Sequence, residues 1–227
     1  MNFGELAYPD VPEHAVHLLP LGATEPHGPH APLATDTLIS VGICDRAAER
    51  LAGEISVLAL PAVPYGVTRY GSAFPGAVSI GEETLRSLVT EIAESVGPLV
   101  LVNSHFEPEQ VQTLRATGLP LFDLTRRANA ERLTEEFRSG SCHAGRYETS
   151  LMLADQPDLV HRDRMLALEE RHVDMPVAIR GGQTNFVAMG MDRAYCGAPA
   201  EASAEEGRET FEALTEMLVE LIREVAA

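Results

Sequence analysis

The sequence contains no lysine and no tryptophan, and only three cysteines. Arginine therefore carries all the basic charge, 17 residues against 34 acids, for a net charge of −17. Such a surface repels phosphate backbones and anionic lipid, so neither nucleic-acid binding nor membrane-surface binding is expected. Cys44, Cys142 and Cys196 form no C-x-x-C pair. That argues against a disulfide framework and against a thiolate zinc site, and makes a reducing cytoplasm the expected location. No apolar run approaches the ~20 residues of a membrane span. The first residues lack the basic and apolar regions of a signal peptide.

What is present is globular. Hydrophobic residues make up 45% of the 227, enough for a sizeable core. No repeat, linker or composition break divides the chain, so residues 1–227 are expected to form one domain. Apolar runs over residues 15–21, 55–60, 98–103 and 119–124 read as strands, with a further short strand over 77–80. Helical spacing covers 37–52, 82–96, 108–117, 126–137, 147–154 and 203–225. The stretch 157–199 reads as irregular active-site or interface structure. It carries Met175, Val177, Ile179, Phe186, Val187 and Met189, apolar material that points to a subunit interface and an assembly larger than a dimer. Alternating strands and helices predict an α/β layered domain with a mainly parallel sheet flanked by helices. Ligands in such sheets sit beyond the carboxyl ends of the strands.

Two of those ends carry chemistry. After the first strand, the stretch 22–36 holds Glu25, His27 and Asp36 among five glycines and prolines. After the PLVLVN strand come His105 and Glu107. In each case a histidine and a glutamate stand two residues apart. Carboxylate and imidazole without thiolate suit Zn, Mn or Fe at a hydrolytic site. Five such ligands, with Asp36 as a bridge, suggest two divalent ions sharing a hydroxide. A third cluster holds His143 and Glu148, five apart across a glycine turn. Cys142 beside His143 is not expected to be a nucleophile, because a metal-hydroxide mechanism makes a thiol superfluous. His14, His17, His161 and His172 fall outside the clusters and read as structural or solvent-facing.

ATEPHGPHAPLATD, LVLVNSHFEPEQ, FPGAVSIGEETL and HAGRYETSLMLADQPDLV, in that order, resemble four segments of the creatininase family. The resemblance implies a creatininase-like fold. It also implies Glu25 and His105 on one metal, His27 on the other, and Asp36 between them. Glu107 matches the acid that would complete the second metal, which leaves Glu148 outside the ligand set. His143 would then give a proton to the leaving nitrogen, with Glu148 orienting it. Thr68, in GVTRYG, corresponds to a small hydroxyl residue near the substrate, and Tyr70 and Phe106 are expected to line the same space. Arg69 and Arg146 are candidates for binding an anion. Two departures stand out: Ser104 replaces a glycine, and Pro108 an asparagine. Without tryptophan to close over it, creatinine is not the expected substrate.

The expected activity is hydrolysis of a non-peptide C–N amide bond in a small cyclic amide or formamide. The alternatives are a peptidase trimming a short precursor peptide, of the mycofactocin type, and a non-catalytic metal-binding member of the fold. A homo-oligomer, hexameric in form, is what the resemblance implies for assembly.

Overall fold

A computed structural model describes residues 2–227. Four strands, β1 (Val16–Leu21), β2 (Val57–Ala59), β3 (Leu99–Asn103) and β4 (Leu121–Phe122), form one parallel sheet in the order β2-β1-β3-β4. Parallel neighbours need crossover connections. Helices α1 (Thr35–Arg50), α2 (Glu82–Val96) and α3 (Pro108–Ala116) supply them. Then come α4 (Arg127–Ala130), α5 (Glu135–Ser139), α6 (Arg146–Asp155), α7 (Arg162–Leu166), α8 (Met175–Arg180) and α9 (Ala204–Ala226). Among the described residues no helix is long and apolar enough to cross a membrane.

Side chains alternate across a strand, so each strand feeds two cores. Leu18, Val100 and Val102 face one side, where they pack with Ile39 and Ile43 of α1, Leu151 of α6, and Phe211 and Leu214 of α9. Leu19, Leu21, Leu99 and Leu101 face the other side and meet Leu85 and Val89 of α2 and Leu114 of α3. α9 begins at Ser203, whose hydroxyl accepts a hydrogen bond from Glu206 N at 3.2 Å. Phe211, Leu214, Leu218 and Ile222 then recur at helical spacing and are all buried. The apolar face of α9 is thus covered within the chain, largely by α6 and α1.

Two stretches differ from the sequence reading, and a third adds detail to it. Residues 77–80 make only single bridges, Val78 to Thr24 and Ser79 to Gly66, so no strand forms there. The helix expected over 126–137 is two short helices. Thr134 interrupts it by accepting a hydrogen bond from Phe137 N, which makes Thr134 the cap of a new helix. The stretch 157–199 is irregular as expected, though it includes α7 and α8. Phe186 and Met189 are buried within the chain, while Val177 and Val187 remain about half exposed.

One feature of register sets up the site. Leu21 at the end of β1 pairs with Asn103 at the end of β3. The two segments that follow therefore leave the sheet side by side.

Helices α6 and α9 cross closely at Gly207, where an added Cβ would lie 1.9 Å from the Ser150 carbonyl oxygen. Gly207→Ala should therefore destabilise the fold by about 1–3 kcal/mol through overpacking. Urea denaturation checks this, and an unchanged midpoint would show that the two helices separate at no cost.

Candidate active site

Glu25, His27 and Asp36 reach the sheet rim because the chain turns at Gly22 straight onto the start of α1. A Cβ at Gly22 would lie 2.4 Å from Thr37 N, so a side chain there would push the helix away. Asp36 sits in the first turn of α1, where the positive end of the macrodipole favours its charge. His105 follows β3 by two residues. Its loop is held by Asn103, whose Nδ2 donates to the His105 carbonyl at 2.6 Å. Gln110 donates to Asn103 Oδ1 at 2.8 Å and accepts from Val67 N at 2.8 Å, tying the loop to the neighbouring segment.

Three imidazoles are oriented in the same way, each through one ring nitrogen bonded to a backbone carbonyl. His27 Nδ1 donates to Glu25 O at 3.1 Å, His105 Nε2 to Val67 O at 2.9 Å, and His143 Nε2 to Pro26 O at 3.0 Å. The other nitrogen is thereby aimed at carboxylates. His27 Nε2 lies 3.0 Å from Asp36 Oδ1 and 3.6 Å from Glu148 Oε2. His105 Nδ1 lies 3.0 Å from Asp36 Oδ2 and 3.2 Å from Glu25 Oε1. His143 Nδ1 lies 3.9 Å from Glu25 Oε1. The Asp36 carboxylate is thus divided, one oxygen toward each histidine. Its Oδ2, though close to His105, makes no well-formed hydrogen bond.

The electrostatics follow from burial. Desolvation alone would lower His27, but Asp36 and then Glu148 and Glu25 push it up to about 10. His105 is likewise raised against desolvation by Glu25 and Asp36. Burial would raise the Asp36 carboxyl, yet His27 and His105 hold it below its usual value. His143 is lowered to about 4 by burial and by the neighbouring His27. Burial raises Glu148 to about 8, with His27 opposing.

These residues fit a divalent metal. A histidine with one nitrogen fixed on a carbonyl presents the other's lone pair in a set direction, a common arrangement of metal-ligating histidines. Two groups of donor atoms meet the need, Glu25–Asp36–His105 and His27–Asp36–Glu148, and they share Asp36. A third, Glu25–His27–His143, overlaps them.

The two glutamates have different surroundings. Glu107 is outside all three donor groups. Its carboxylate accepts from Arg69 N at 2.8 and 2.9 Å and from Tyr70 N at 3.2 Å. Burial nonetheless raises it to about 7. Glu148, expected to orient His143, instead faces His27 and accepts from Ala144 N at 2.7 Å. Pro26 O is what orients His143. Thr68 is buried and gives its hydroxyl to Glu25 Oε2. Arg69 is engaged by Glu82 and Arg146 by Glu206, so neither is free for an anion. His30, a neighbour in sequence, hydrogen-bonds Thr149 Oγ1 at 2.8 Å and links this loop to α6.

A cavity of about 300 Å³ opens over the cluster, lined by Glu25, Asp36, His105, Glu107, His143 and Glu148, with Tyr70 and Phe106 also in its wall. The sequence reading did not single out Phe137 and Arg138, and it drew Met175, Ile179 and Phe186 toward a subunit interface; all five line the cavity. The Phe186 ring lies 4.4 Å from that of His143. The one available signal was the apolar content of 157–199, which gave no hint of where it packs.

Comparison with known proteins gives one consistent result. A family model described as creatininase, creatinine amidohydrolase, matches residues 4–222. The mycofactocin precursor peptide peptidase of Mycobacterium ulcerans (strain Agy99) is 34% identical over 220 residues, 92% of this chain and 84% of that protein. The creatinine amidohydrolase of Pseudomonas putida is 31% identical over 245 residues, 92% of this chain and 89% of that protein. The solved structure titled "Creatininase Mn" superposes with a TM-score of 0.74 at 26% identity, covering 98% of this chain and 97% of that one.

Burial raises all three thiols: Cys44 and Cys142 well above the ordinary value, and Cys196 to about 12. A thiol nucleophile at Cys142 is therefore disfavoured. Ellman's reagent at pH 8 should label the native protein far more slowly than the urea-unfolded chain. A fast native phase lost in Cys142→Ser would reverse that conclusion.

Proposed function

Because this chain belongs to the creatininase family of metal-dependent hydrolases, we propose that its buried His/Asp/Glu cluster hydrolyses a C–N amide bond in a small substrate, with two divalent ions bound per chain. The observation that carries this reading is the division of Asp36 between His27 and His105, which makes two donor groups with one carboxylate in common. Glu25 and His105 would complete one group, and His27 and Glu148 the other. Zn, Mn and Fe all suit such nitrogen and oxygen donors.

When bound, two such ions would supply an activated water and polarise the substrate carbonyl. The chain's own residues do the rest. The carbonyls of Glu25 and Val67 keep His27 and His105 in the tautomer that presents a lone pair to the cluster. Thr68 holds Glu25 through its second oxygen. His143, with Nε2–H on Pro26 O, has Nδ1 free to take the proton released as water adds to the amide carbon. The same nitrogen can return that proton to the departing amine. Water is thus split across the bond, hydroxyl to carbon and hydrogen to nitrogen. Glu107, pinned by the backbone amides of Arg69 and Tyr70, stands beside His105 as a fixed acceptor at the cavity wall.

A small cyclic amide or formamide is the first substrate reading. A peptide C–N bond is the second reading, favoured by the printed activity of the mycobacterial relative. An assembly larger than a dimer belongs to the same proposal, with the half-exposed Val177 and Val187 as candidate contacts. Light scattering tests this part, and a monomeric mass would refute it.

Metal content separates the ligand roles. Asp36→Ala should lose both ions, and Glu148→Gln one of them. Glu107→Gln should keep both, because its oxygens are spent on backbone amides. If Glu107→Gln strips an ion and Glu148→Gln does not, the assignment is reversed. Retention of both ions in Asp36→Ala would remove the dinuclear reading.

A further inference from the structure

Arg138 is the one arginine lining the cavity over the cluster. It is the penultimate residue of α5 and is exposed, with no ion-pair partner among the described residues. Most arginines in this acidic chain are paired, including Arg132 to Glu220 just before α5 and Arg146 to Glu206 just after it. Its neighbour Phe137 is buried and meets Phe106 edge-on, with ring centroids 5.4 Å apart. Met175, Ile179 and Phe186 extend the same apolar wall. The cavity therefore has three chemically distinct parts: the carboxylate and imidazole cluster at its base, an apolar wall, and a guanidinium facing solvent.

Charge decides what the guanidinium is for. The base holds four carboxylates, Glu25, Asp36, Glu107 and Glu148. Two divalent cations would balance these four as a set, leaving Arg138 as the one lining cation without a partner. Arginine's planar fork matches a carboxylate with two parallel hydrogen bonds, and an unpaired arginine forms such a pair without first breaking another. The apolar wall would hold a side chain next to that carboxylate, at little cost in polar desolvation.

We infer that the cavity selects a substrate whose amine portion ends in a free carboxylate beside an apolar side chain, with Arg138 binding the carboxylate while the scissile amide lies at the cluster. The substrate class is an N-acyl amino acid or the carboxyl-terminal residue of a short peptide. Arg138 is a specificity-determining residue with no part in the bond-breaking step. The inference rests on the amide-hydrolase reading of the same cavity. It distinguishes the two substrate readings, because a formamide or small lactam without a carboxylate gives Arg138 nothing to bind.

The experiment pairs turnover with binding, on metal-loaded protein. For turnover, acetyl-leucyl-phenylalanine is compared with its carboxyl-terminal amide. The wild type should prefer the free acid in kcat/KM by about tenfold to hundredfold, the usual worth of a charged hydrogen-bonded pair. Arg138→Gln should bring the ratio to about one, mainly through KM, and Arg138→Lys should restore part of it. For binding, N-acetylphenylalanine and N-acetylphenylalaninamide are titrated by calorimetry into the wild type and Arg138→Gln. Only the wild type should prefer the acid. Arg138→Gln is expected to fold normally, since the side chain is exposed and unpaired. If the wild type shows no preference for the acid in either assay, or the preference survives Arg138→Gln, the inference is overturned. If neither peptide is cleaved but the binding preference appears and depends on Arg138, carboxylate recognition stands and the amide-hydrolase reading fails.

Discussion

The site depends on a single buried carboxylate. Asp36 is almost fully enclosed and has each oxygen within 3.0 Å of a different histidine. A charge removed from water at this depth is costly unless opposite charge surrounds it. His27 comes from the loop after β1 and His105 from the loop after β3, so compensating Asp36 forces the two loops together. The helix carrying Asp36 packs on the sheet through Ile39 and Ile43, so the carboxylate is held by the main core as well as by its partners. Replacing Asp36 would disturb the meeting point of two strands and a helix, as well as remove one ligand.

Rigid and adaptable parts of the cavity come from different segments. The chemistry stands on strand ends and the first turns of α1 and α6, and three imidazoles are fixed by main-chain carbonyls. A carbonyl in a folded backbone is a better anchor than a side chain, because it has no rotamer to lose. The apolar part of the wall comes from α5, α8 and the segment around Phe186, all short or irregular. Functional variation generally concentrates in such connecting segments while the scaffold is kept.

Much of this was legible in the sequence, and the exceptions are instructive. The strand ends at Leu21 and Asn103 could be read from apolar runs, and the paired His/Glu spacing after each pointed to one rim. The parallel order follows from alternating strands and helices. Phe137, Arg138 and Phe186 could not be found this way. Their role depends on where α5 and the 157–199 segment fold back over the sheet, and no local pattern encodes that return. The interruption at Thr134 was visible in principle. A threonine ahead of two glutamates is a helix-start signal, and it outweighed the continuous helical spacing on either side. Arg69 and Arg146 looked like free cations only because their partners, Glu82 and Glu206, lie 13 and 60 residues away.

The different surroundings of Glu107 and Glu148 show the limit most clearly. Both glutamates follow a histidine, by two residues and by five, and both start a helix. Residue type and spacing give each a claim to the cluster. What separates them is the main chain around each carboxylate. Glu107 precedes α3, and its oxygens meet the exposed amides of Arg69 and Tyr70, which come from a loop 37 and 38 residues earlier. Those amides hold the carboxylate at the cavity wall. Glu148 finds only one amide, that of Ala144, in a backbone held at φ 49. One of its oxygens takes that hydrogen bond and also faces His27, 3.6 Å away. A carboxylate with unspent acceptor capacity beside an imidazole nitrogen whose proton a cation can displace is the better place for that cation, and the capacity is set by tertiary contacts a sequence pattern does not record.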